Sequence, residues 1–190
     1  SNGTIENCYN TGTVSGSSSS ISFISYVGGV CGYNLFVGTI ENCYNTGKVT
    51  GIDTECVGGV CGENRNTITK CYNTGKVTGI DTQYVGGICG KSWGNGTITN
   101  CYFLTGTAEI GIGSGGGTIT KVEEKTSGQF TSGEVAWLLN GASEGTWVQD
   151  MLHTMPVLKD NLPIGVSVSD CKKPVRITIK MSDAISQYGY

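Results

Sequence analysis

The chain has 190 residues, of which 31 are glycine, three are proline and only 14% are charged, with a formal net charge of −3. Its lysines are scattered singly and form no basic stripe, which argues against nucleic-acid binding, and no apolar run reaches the roughly 18 residues of a membrane-spanning helix. The scarcity of proline and the lack of a three-residue glycine period exclude collagen, while apolar residues recurring at fixed places argue against a disordered linker.

The first predicted element, GTIENCYNTG at Gly3, returns as GTIENCYNTG at Gly38, NTITKCYNTG at Asn66 and GTITNCYFLTG at Gly96. The offsets are 35, 28 and 30 residues, which is the range of solenoid and array proteins. A second element alternates with it: YVGGVCG at Tyr26, CVGGVCG at Cys56 and YVGGICG at Tyr84. Asn-Thr-Gly and Gly-Gly interrupt every apolar stripe, so a helix cannot persist; short β-branched runs between such turns read as strands. Stacked units would place like residues above like about 4.8 Å apart. The spacing therefore predicts an all-β fold, a short parallel β-solenoid of glycine-rich repeats over residues 1–120.

Ile5, Ile40, Ile68 and Ile98 form one expected ladder. Cys8, Cys43, Cys71 and Cys101 form a second, and Cys31, Cys61 and Cys89 a third. Two readings of the cysteines stand side by side: small apolar core residues, or disulfides between columns or with Cys56. Tyr9, Tyr44, Tyr72 and Tyr102 either stack on an outward face, where they form a candidate binding face, or fill the interior. The longer connector Ser17–Ser25 reads as an outer loop. Glu6 and Glu41 occupy equivalent places and read as a stacked acidic column, interrupted by Thr69 and Thr99, rather than a catalytic dyad. In the fourth unit Phe103 and Leu104 replace the usual corner and read as docking residues for a cap.

The pairing of Val57–Gly62, VGGVCG, with GTIENCYNTGKVTG resembles the GLUG repeat over roughly Gly3–Thr120, with Cys61 at a place where an aliphatic residue would be ordinary. That family includes modules of bacterial cell-surface and secreted proteins, among them peptidases of immunoglobulin A and adhesin-like chains. The resemblance implies an extracellular or cell-surface location, as part of a longer protein, and a β-solenoid stalk. It offers no catalytic residue to transfer.

Residues 121–163 read as a small capping segment with one short helix over about 131–140, giving the whole a small C-terminal α/β cap on the open end of the stack. Thr131 would cap this helix, Glu134 would complete a capping box, Phe130 and Val135 would form a staple, and Gly141 would end it. Trp137, Trp147 and the run Met155–Asp160 would complete the cap. Residues 164–190 read as two strands and a linker, or the start of a following domain.

Enzyme signatures are missing. His153 is the single histidine, and no G-x-S-x-G elbow, H-E-x-x-H, phosphate-binding loop or Cys-x-x-Cys pair occurs. Asp53 and Asp81 stand alone and do not make a calcium loop. The reading is a non-catalytic stalk or spacer without cofactor or metal. The alternative is an adhesin-like module whose partner is a host glycoprotein, polysaccharide or other surface protein.

Overall fold

The structure, a computed structural model, describes residues 3–18, 25–35, 37–141, 145–149 and 154–161. His153, the central part of the Ser17–Ser25 connector and the expected strands after residue 163 lie outside them.

The repeats fold as successive coils of a parallel β-solenoid. The first coil runs through Thr4–Glu6, Tyr9–Asn10, Val14–Ser17, Tyr26–Gly28 and Cys31–Asn34. The second and third repeat these five places, and every strand pairs in register with its counterpart one coil away: Ile5 with Ile40, Ile40 with Ile68, Ile68 with Ile98, and Cys31 with Cys61 and then Cys89. Parallel pairing of identical segments follows from the sequence, because each unit has an apolar face that only a neighbouring coil can cover.

The solenoid runs past the expected boundary at residue 120. Thr118–Lys125 pairs with Thr97–Leu104 over its whole length, Ile119 beside Ile98 and Val122 beside Cys101. Gly117-Thr118-Ile119-Thr120 repeats the start of the fourth unit, but Val122 stands where the four earlier units carry cysteine. The repeat signal fades there although its backbone continues.

Corners have two solutions. Asn7, Asn42, Lys70, Asn100 and Lys121 turn the chain between the first two strand places, each with φ between 51° and 55°. Asparagine tolerates this left-handed conformation best, and the lysines adopt it because the stack fixes it. At the Gly-Gly corner the requirement is space: a Cβ on Gly58 would lie 1.9 Å from the Cys61 carbonyl oxygen, and one on Gly59 2.1 Å from that of Gly87.

The main core fills the space between coils with the isoleucine column, both cysteine columns, Val60, Ile88 and Phe103. A smaller core joins Val27, Val49, Val57 and Val77. Two buried asparagine ladders line the corners. Asn10 Nδ2 donates to Asn45 Oδ1 at 2.8 Å and Asn45 Nδ2 to Asn73 Oδ1 at 2.7 Å, while each side chain also closes its own turn. Asn34 Nδ2 donates to Asn64 Oδ1 at 2.8 Å in the second ladder. Phe103 ends the first ladder beneath Asn73 and turns into the core, whereas Leu104 packs against the cap.

The cap differs from the single helix expected over 131–140. It has two helices, α1 (Ser127–Thr131) and α2 (Glu134–Leu139). Thr126, not Thr131, is the cap of α1: its side chain accepts from Gln129 N, and Gln129 Oε1 accepts from Thr126 N at 3.0 Å. Thr131 closes α1, and Gly133, with φ of 83°, breaks the path before Glu134 starts α2. Two strands, Trp147–Val148 and Val157–Leu158, pair antiparallel beside them. Phe130, Val135, Ala136, Leu139, Trp147 and Leu158 pack against Tyr44, Tyr72 and Tyr102. The cap therefore lies along the tyrosine flank of the stack and not over its open end.

Candidate functional site

The four tyrosines form one column. Tyr9 stacks on Tyr44 with ring centroids 5.0 Å apart, and Tyr44 on Tyr72 at 4.9 Å, with interplanar angles of 9° and 5°. This spacing is the strand repeat, so in-register stacking aligns the rings directly. Trp147 meets Tyr44 at 5.8 Å and Tyr72 at 5.4 Å, and the Tyr72 hydroxyl donates to the Pro156 carbonyl at 2.7 Å. Only Tyr9 is open, at 53% exposure; Tyr72 is fully buried. As a candidate binding face the column is therefore covered at Tyr44, Tyr72 and Tyr102. Burial also raises the phenol pKa of Tyr72 and Tyr102 well above the usual value.

The eight cysteines among the described residues are free thiols. Cys43, Cys61, Cys71, Cys89 and Cys101 each donate Sγ to a backbone carbonyl two residues away, at 3.1–3.3 Å. Burial pushes Cys61 and Cys71 far up, while hydrogen bonding to Cys71, then burial, does so for Cys43. Buried and hydrogen-bonded to the backbone, these column thiols are chemically inert. Among these eight, Cys8 in the first coil is the exposed one. Glu41 pairs with Lys70 at 2.9 Å, and the Thr69 and Thr99 hydroxyls bond to each other at 3.1 Å, so the Glu6–Glu41 column is a polar ladder. Asp53 and Asp81 are left-handed corners.

The chemistry concentrates elsewhere, on the flank built from the last two strand places of coils one to three. Glu63 stands between Tyr33 and Lys91 in register. It is 1% exposed, and its Oε1 accepts from Arg65 Nε at 2.8 Å. Lys91 Nζ reaches Glu55 Oε1 at 2.9 Å and lies 4.6 Å from the Tyr84 ring centroid and 4.3 Å from that of Trp93. The Arg65 guanidinium lies 5.4 Å from the ring of Tyr33 and 5.8 Å from that of Trp93. Tyr26 and Tyr33 meet at 4.8 Å. Trp93 remains 47% exposed.

Electrostatics on this flank follow from the acids. Burial, then the Glu63 and Glu55 charges, raise Tyr26 well above the ordinary phenol value. Burial and then the same two charges push the Cys56 thiol up to about 12. For Lys91 burial works downward, but the Glu55 bond and charge outweigh it and leave the ammonium raised.

The sequence reading passed over Glu55, Glu63, Arg65, Lys91 and Trp93 because it followed what repeats. The available signal was variation: Tyr33, Glu63 and Lys91 hold one place in successive coils with three different chemistries.

A second feature is a groove of about 640 Å³ where the fourth coil skips two strand places. It is lined by Val77, Gly79, Val85, Ala108, Ile110 and Gly113 among others.

The model of the GLUG motif family matches residues 24–50, 53–78 and 81–107. The chain carries three GLUG motifs. Each begins just before the Val-Gly-Gly corner of one coil and ends in the next coil, the first two in the strand after Asn-Thr-Gly and the third at Thr107, so a GLUG unit straddles two coils. A search of curated proteins gave no significant match. Among solved structures, the chain is similar to a candidate immunoglobulin A1 protease from Bacteroides ovatus, with 20% identity and a TM-score of 0.56 over 82% of this chain. The chain spans 57% of that protein's length, and the likeness is one of fold.

Proposed function

We propose that this GLUG-repeat chain is a non-catalytic stalk or spacer module of an extracellular or cell-surface bacterial protein. The observation that carries the reading is where the repeated side chains go. The Ile, Cys and Asn ladders are spent on the interior, and three of four tyrosines on seating the cap. Repetition here serves stacking, which makes a stiff body whose length is set by the number of coils. The GLUG motifs and the fold shared with a candidate immunoglobulin A1 protease support a repeat module of a surface protein.

The flank of Tyr33, Arg65, Lys91 and Trp93 favours a second reading, a contact surface for a glycan or protein, because an exposed indole beside paired charges suits a flat polar ligand. One set of measurements separates these. Incubation of the purified chain with immunoglobulin A1 should leave the antibody intact; cleavage that co-purifies with the chain overturns the non-catalytic assignment. A glycan and host-protein array should show no saturable binding for a spacer. Saturable binding lost in Trp93→Ala establishes the contact surface instead.

A further inference from the structure

Cys56 is the buried thiol that belongs to neither cysteine column. It stands between Tyr26 and Tyr84 in register, at 0% exposure. The columned thiols Cys43, Cys61, Cys71, Cys89 and Cys101 satisfy themselves on backbone carbonyls; Cys56 Sγ makes no hydrogen bond among the described residues. It faces two acids instead: Sγ and carboxylate oxygens of Glu55 and Glu63 all lie within 4.8 Å of one another. Each acid binds a cation through Oε1, Lys91 for Glu55 and Arg65 for Glu63, and Glu63 also holds hydrogen bonds from the Tyr26 and Tyr33 phenols, which a bound ion shares or displaces.

We propose that Cys56, Glu55 and Glu63 form a binding site for a thiophilic divalent cation, with Zn²⁺ the best fit. A thiolate beside two carboxylates matches the mixed sulfur and oxygen set that zinc accepts, and the sulfur disfavours calcium and magnesium. Three protein ligands leave the fourth position of a tetrahedral ion to water. Binding forms the metal–sulfur bond as the thiol proton leaves to solvent. The charges allow it: two carboxylates against Lys91 and Arg65 are neutral with the thiol, and the ion with the thiolate adds one positive charge. Lys91 and Arg65 keep their contacts with the rings of Tyr84, Trp93 and Tyr33 when the carboxylates turn to the ion. A search for Cys-x-x-Cys spacing misses such a set because its second acid comes from the next strand place of the same coil. The proposal does not depend on the stalk reading.

The test is titration of the intact chain with Zn²⁺ and with Cd²⁺, whose bond to thiolate gives a near-ultraviolet charge-transfer band. One equivalent should bind with the band and release of one proton. Cys56→Ser should abolish the band and weaken Zn²⁺ at least about tenfold; Glu55→Gln, at a half-buried position, should weaken it by about tenfold with unchanged circular dichroism. Cys8→Ser and Cys171→Ser should retain both. A folded wild-type chain that binds no Cd²⁺, or a Cys56→Ser chain that keeps the band, overturns the proposal.

Discussion

At the residue scale, the asparagine ladder shows how a polar side chain becomes a structural unit. Asn45 is fully buried, accepts from Asn10, donates to Asn73 and closes its own turn on the Gly47 carbonyl at 2.7 Å. Removing it strands partners on both sides, and a buried amide without a partner costs more than its hydrogen bond is worth. Asn45→Ala should therefore destabilise the chain by about 2 kcal/mol or more in urea unfolding, through loss of buried hydrogen bonds. An Asn45→Ala midpoint equal to wild type would refute a ladder that supports the fold.

At the element scale, the cap is held by aromatic contacts to one flank. Trp147 is fully buried against Tyr44 and Tyr72, and Asn140 fixes its backbone from both sides at 2.8 and 3.0 Å. Trp147→Ala should cost about 3–5 kcal/mol of cap docking. Hydrogen exchange should then rise across residues 126–161 and at the Tyr44 and Tyr72 strands, while the Ile40 and Ile68 strands stay protected. Uniform loss of protection over the whole chain would show the cap and solenoid to be one cooperative unit. The helices also mark where sequence reading falls short. Thr126 and Thr131 both precede plausible capping partners, Gln129 and Glu134, and the choice between them rests on Gly133 taking positive φ.

For the whole molecule, many buried thiols and phenols hold their protons more tightly than they would in water. Cys43, Cys56, Cys61, Cys71, Tyr72 and Tyr102 all have pKa values raised in the folded state. A raised acid binds its proton more tightly in the folded chain than in the unfolded one. Its stabilising contribution is complete below the unfolded value and is lost as pH rises toward the folded one; for Cys56 the window runs from 9.0 to about 12. Thermal melts should therefore show a steep fall in Tm above pH 9 and little change between pH 6 and 8. A melting temperature that holds constant to pH 11 would contradict protonated interior ladders.

The sequence by itself determined the coils. Repeats of Ile, Cys, Val and Gly at near-constant offsets permit one economical way to bury their apolar faces, which is stacking in register, and the solenoid and its ladders follow. Tertiary structure alone decided which side of a strand meets another element. Tyr44 and Tyr72 are the same in sequence whether a cap covers them or solvent does; contact with Trp147 and Phe130, more than 50 residues away, settles it. The same holds for the flank of Glu55, Cys56, Glu63 and Lys91. Its members vary from coil to coil, and only the stacking of coils brings their charges, rings and thiol within reach of one another.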